Sequence, residues 1–290
     1  MKYPVARFWE PGPQGRARCR LCPHQCGIAD GKSGRCGVRR NEGGQLVPVN
    51  YGQISSLALD PIEKKPLHRY RPGSMILSAG SLGCNFSCPF CQNHSISMAR
   101  PGEVDTVFLS PSDLVERAET LRSRSNIGIA FTYNEPFTWY EYVRDTALLA
   151  REKGLDIVLV TNGYVEPEPL EEILPFVCAM NIDLKSFRDS FYREMAGGTL
   201  EPVLETIRRS TARCHVEVTT LVIPGHTDSK EEIRELAAFL AGISPEIPLH
   251  LTRFFPAYRQ QDTPPTSRES LDALAREARK SLKHVFLGNV

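Results

Sequence analysis

Residues 83–93 read Gly-Cys-Asn-Phe-Ser-Cys-Pro-Phe-Cys-Gln-Asn, which sets Cys84, Cys88 and Cys91 four and three positions apart in one short stretch. Three thiolates this close can converge on one metal centre. They are too few to close a structural zinc site, which takes four N or S ligands. They are also one short of the four that saturate a 4Fe–4S cluster. That deficit is informative, because it leaves one iron open to an external ligand. The competing readings of the stretch are a zinc site completed by His94, or three unrelated buried thiols.

Outward from this loop the chain alternates. Apolar, β-rich runs occur at Ser74–Ala79, Ile127–Thr132, Ile157–Val160, Val177–Leu184, Val216–Ile223 and Leu249–Phe255, with a seventh at Val285–Leu287. Helical patterns lie between them, among them Pro111–Arg124, Thr138–Lys153, Pro169–Leu174, Lys230–Ile243 and Arg268–Leu282. Strands apolar on both faces and separated by helices predict a parallel sheet wound by βα units. Six or seven units give an α/β fold of the partial (β/α)6 type rather than a closed eight-stranded barrel. Residues 74–290 are expected to form it. Residues 1–73, rich in Cys, Gly, Arg and Pro, are expected to be an irregular N-terminal segment stapled by metal and packed on the barrel.

Bulk composition excludes more than it selects. The 290 residues carry 35 basic and 34 acidic side chains, a formal net charge of +1, so net charge gives no case for nucleic acid or an anionic membrane. No apolar run approaches membrane-span length and the N-terminus lacks a signal-peptide pattern, which predicts a cytoplasmic protein. In that reducing compartment the nine cysteines are more useful as metal ligands than as disulfides.

Functional groups of βα barrels gather where strands end. Here those ends carry Asn134-Glu135-Pro136, Thr161-Asn162-Gly163, Asp183-Leu184-Lys185 and Pro224-Gly225-His226, and the sixth run contains His250 and Arg253. These groups suit S-adenosylmethionine (SAM), whose amino and carboxylate groups can occupy an open iron. Glu135 is expected to accept from the amino group, Asn162 to meet the ribose and Lys185 to meet the carboxylate. Phe90 is expected to shield the cluster and pack on the adenine. Reductive cleavage of SAM would give methionine and a 5′-deoxyadenosyl radical that abstracts hydrogen from an unreactive C–H bond.

Cys84-x3-Cys88-x2-Cys91, Asn134-Glu135-Pro136, Thr161-Asn162-Gly163, Asp183-Leu184-Lys185 and Ile223-Pro224-Gly225 together resemble the radical SAM superfamily, in the branch of pyruvate formate-lyase activating enzyme. The resemblance implies that Asn134, Glu135, Thr161, Asn162, Asp183, Lys185 and Pro224 contribute to SAM binding. Cys22-Pro23-His24-Gln25-Cys26, Asp60–Leu67 and Cys91-Gln92-Asn93 resemble the radical SAM enzymes of the AmmeMemoRadiSam system. That resemblance implies Memo-like and AMMECR-domain proteins as partners, and further residues with another CxxC after Val290. An electron donor of the flavodoxin or ferredoxin type is expected as well. The alternatives are a glycyl radical enzyme activase and a non-catalytic metal-binding or electron-transfer protein.

Two further stretches invite a site. Cys19, Cys22, Cys26 and Cys36 supply four thiolates, enough for tetrahedral zinc or for an auxiliary 4Fe–4S cluster. Zinc is the preferred expectation, with His24 able to replace one thiolate. The charged run Asp60–Tyr70 is expected to be a solvated face, or else a loop over the barrel mouth with Lys64, Lys65 or His68 meeting an anion.

Overall fold

The computed structural model describes residues 3–290. Its main sheet has eight strands: β1 Ser56–Pro61, β2 Met75–Gly80, β3 Asn126–Phe131, β4 Asp156–Thr161, β5 Ala179–Asp183, β6 His215–Val222, β7 Leu249–Arg253 and β8 Val285–Gly288. They neighbour one another in sequence order, from β1 at one edge to β8 at the other. Strands β2 to β8 are all parallel, as the doubly apolar runs predict. Strand β1 runs antiparallel to β2, so residues 56–61 of the N-terminal segment belong to the barrel sheet.

Helices α1 Pro111–Thr120, α2 Tyr140–Glu152, α3 Pro167–Ile173, α4 Glu201–Thr211, α5 Lys230–Ile243 and α6 Arg268–Ala278 connect the parallel strands. Their starts are chemically marked. Ser110 and Asp113 form a reciprocal capping box at α1, and Ser229 and Ser267 accept from the backbone N–H groups of Glu232 and Ser270 at α5 and α6. Helix α4 escaped the sequence reading because only Val203, Leu204 and Ile207 are large and apolar among its buried side chains, with Arg, Glu, Ser and Thr around them. Among the described residues, no helix is long and apolar enough to cross a membrane.

The N-terminal segment forms three short antiparallel strands, Trp9–Pro11, Ala17–Cys19 and Gly27–Ile28, and a hairpin of Arg39–Glu42 with Gln45–Pro48. Buried Arg39 ties this hairpin to α2, its Nη1 lying 3.0 Å from both oxygens of Glu141. The Arg7 N–H donates to the same carboxylate at 2.7 Å.

The charged run Asp60–Tyr70 does not lie over the barrel mouth, and it is a solvated face only in part: Lys64 and Arg69 are exposed, while Asp60 and Lys65 are buried. Because β1 is antiparallel, Pro61 pairs with Met75, and the chain leaves β1 at the end where the parallel strands begin. Residues 62–70 therefore seal the barrel floor, opposite the mouth. Ile62 and Leu67 are fully buried in a cluster with Ile76, Ala130, Val158 and Ala179. Lys65 is buried and bonded to Asp60 at 2.9 Å, and Asp60 also accepts from the Tyr133 hydroxyl at 2.7 Å.

Glu217, fully buried in β6, fastens this plug. Its carboxylate accepts from the backbone N–H groups of His68 at 3.0 Å and Arg69 at 2.7 Å. Ring nitrogens of His215 and His250 lie 2.9 and 2.6 Å from it. Burial alone would raise the Glu217 pKa, but these partners hold it down at about 2. Removing one side of such a buried charged set costs about 3–5 kcal/mol, because the other groups lose their partner. Glu217→Ala should therefore lower the unfolding free energy by about 3–5 kcal/mol, read as an earlier urea transition, and loosen residues 62–70. Proteolysis and hydrogen exchange on that loop would register the change, and unchanged protection would refute the fastening role.

Candidate cofactor site

A cavity opens at the carboxyl ends of the strands. Cys84, Cys88 and Cys91 line it together with Phe90, Asn134, Glu135, Thr161, Asn162, Asp183 and Lys185. The loop that carries the cysteines follows β2, and its geometry depends on Gly83. That residue has φ +85°, and a Cβ there would stand 2.7 Å from the Cys36 carbonyl oxygen and from Val38 Cγ1. The Asn134 amide donates to the carbonyls of Leu82 and Gly83 at 3.2 and 3.1 Å, while its oxygen accepts from Ser81 N–H at 2.9 Å. Asn134 is thus a positioning residue for the cysteine loop.

Glu135 is 2% exposed and anchors the adjoining wall. It accepts from Asn162 N–H at 2.8 Å, Thr161 Oγ1 at 2.7 Å and Phe137 N–H at 3.0 Å. Burial pushes its carboxyl up to about 7, against the pull of those donors. A cationic group arriving in the cavity would favour its charged form. Opposite, Lys185 Nζ is 3.0 Å from Asp183 Oδ2. Burial would lower the Lys185 pKa, but Asp183 and the nearby Cys88 raise it, so the ammonium is retained.

The thiols sit in a dry setting. Burial pushes Cys84 well above its ordinary range and Cys88 to about 11. Coordination to a cation is what converts such thiols to thiolates. Donors for the resulting sulfur charge are already present: Phe86 N–H points at Cys84 Sγ at 3.4 Å, and Asn162 Nδ2 at 3.6 Å. No fourth Cys and no His lines the cavity among the described residues. His94 turns away, with Nδ1 3.2 Å from the Cys91 carbonyl and its ring stacked on Tyr258 at 4.6 Å.

These observations fit the residues to a cubane with one protein ligand missing and to a charged ligand beside it. Comparison with known proteins agrees. The radical SAM superfamily profile matches residues 80–240. The chain belongs to the radical SAM superfamily. An uncharacterized protein of Methanocaldococcus jannaschii is 42% identical over 289 residues, 98% of this chain and 85% of its own length. The isethionate sulfite-lyase activating enzyme of Oleidesulfovibrio alaskensis is 28% identical over 57% of this chain and 53% of its own. Pyruvate formate-lyase 1-activating enzyme of Escherichia coli is 26% identical over 54% of this chain and 65% of its own length. Streptococcus suis SuiB bound to S-adenosylmethionine shares the fold, with a TM-score of 0.56 at 11% identity over 71% of this chain and 47% of that one. The protein is a radical SAM enzyme, with a 4Fe–4S cluster and SAM as its cofactors.

Three residues expected at the cofactor lie elsewhere. His250 shares a strand face with Thr252, which lines the cavity, but it sits two positions closer to the floor and is bound to Glu217. Arg253 falls on the opposite face by strand alternation, and its Nε donates to the Thr266 carbonyl at 2.6 Å. Pro224 lies past the end of β6 and does not border the cavity, where Thr219 and Leu221 do. Thr219, Leu221 and Thr252 were missed, although the period-2 pattern of their strands would have found them. Asn289, Gln92 and Met98 also line the wall, from loops that carry no such periodicity.

Asn134→Ala would leave two carbonyls and one N–H of the cysteine loop unpartnered, at about 1–3 kcal/mol for such buried groups. Denaturation of the metal-free protein should show a loss of that order, and iron uptake during reconstitution should fall. A variant that takes up iron like the wild type would show that the loop does not need this amide.

Proposed function

We propose that Cys84, Cys88 and Cys91 hold the cluster, that Glu135 accepts from the SAM amino group and that Lys185 meets its carboxylate. The reading rests chiefly on one observation: three thiols share a cavity with these polar groups, and no fourth Cys or His borders it among the described residues. When bound, the cluster and SAM supply a 5′-deoxyadenosyl radical for hydrogen abstraction from the substrate. The chain's own residues bind, orient and exclude water. Phe90, 4% exposed and packed near Phe191 at 5.9 Å, supplies an apolar wall. Tyr192 accepts from Lys185 N–H at 3.0 Å and so sets the backbone from which that ammonium projects. A low-potential flavodoxin or ferredoxin type donor supplies the electron.

The substrate remains a separate question. The activating enzymes among the relatives favour a second reading, in which the hydrogen comes from a glycine on a partner protein. That reading calls for SAM cleavage that rises when a glycyl radical enzyme is added.

Anaerobic reconstitution with iron and sulfide, followed by reduction with SAM, should yield 5′-deoxyadenosine. Cys88→Ala should abolish it. Glu135→Gln keeps the side-chain shape but removes the charge, and should weaken SAM binding about tenfold or more, from about 1.5–3 kcal/mol for a charged hydrogen bond. The proposal fails if the reconstituted wild type carries no iron or shows a fourth protein side chain on the cluster.

A further inference from the structure

We propose that Cys19, Cys22, Cys26 and Cys36 bind a second 4Fe–4S cluster, set directly behind the loop that holds the first. This goes beyond the SAM reading and does not depend on it. All four cysteines line one small cavity in the N-terminal segment, walled by the apolar side chains of Leu21, Ile28 and Phe137. Cys19 is buried at 5% exposure, and the other three are partly buried.

A second, independent feature points to an anionic occupant. Arg39 lines the same cavity at 1% exposure. Its Nη1 is taken by Glu141, and its Nη2 donates to the Arg7 carbonyl, but its buried Nε has no partner. An unpartnered guanidinium N–H in a dry pocket is costly unless something accepts from it. Cluster sulfur or a thiolate would.

Zinc was the preference of the sequence alone; the buried Arg39 Nε–H bordering the same cavity favours iron, because the sulfides of a cubane add acceptors that a lone zinc ion lacks. His24 is not needed as a ligand, since its Nε2 is engaged 2.8 Å from the Asn85 carbonyl.

The two centres are covalent neighbours. Cys84 borders the SAM cavity, while the next residue, Asn85, borders the four-cysteine cavity. Gly83 packs its backbone against the Cys36 carbonyl.

Metal analysis of the full chain after anaerobic reconstitution tests the assignment. The wild type should hold about eight irons and no zinc, and a Cys84→Ala/Cys88→Ala/Cys91→Ala variant should keep about four. About four irons in the wild type and none in that variant would overturn the second cluster while leaving the first intact. One zinc in both proteins would overturn it too. If the variant loses no iron relative to the wild type, the first assignment is the one that fails. Because a triple variant can misfold, the reduced wild type provides a separate readout. Two magnetically coupled EPR signals are expected, and a single uncoupled signal would count against the proposal.

Discussion

Three soft ligands have to be held in a fixed arrangement before any metal reaches them, and the rest of the upper barrel is organised around that demand. The loop that carries these proposed ligands has no helix or strand between residues 81 and 93. Its shape comes from outside: the Asn134 amide on two carbonyls, Gly83 pressed on the Cys36 backbone, and Asn85 Nδ2 donating 2.7 Å to the Tyr164 carbonyl. Asn162 then joins this loop to the Glu135 wall through a 2.8 Å bond to Asn85 Oδ1. Each of these groups is buried, so each bond is made in a medium where leaving it unmade is expensive.

The same logic explains why Glu135 is both restrained and available. Three donors fix its orientation, yet burial keeps its charge from being fully satisfied. An arriving cation finds a carboxylate that needs no reorientation, which is how preorganised sites act.

Much of this was legible in the residues. The strand runs were readable because doubly buried parallel strands are apolar throughout, and five of the six helices followed from their amphipathic patterns, α4 being the one missed. The cysteine spacing and the polar strand ends identified the thiols and the main polar groups of the cavity, but not wall residues such as Phe86, Met98, Val160 and Thr219. What escaped has a common cause. Reading strand ends as a block ignored alternation, which sends Arg253 outward, and ignored depth, which leaves His250 near the floor. The charged run Asp60–Tyr70 misled because Lys65 is buried against Asp60 within the run itself, and because Glu217 of distant β6 accepts from the His68 and Arg69 backbone, a contact that local charge patterning does not reveal.

That floor has a bearing on traffic. With Ile62 and Leu67 corked into the base of the barrel, nothing threads through that end, and the cavity bordered by the cysteines opens at the opposite one. A molecule that enters there turns back toward the rim to leave, instead of passing through the floor.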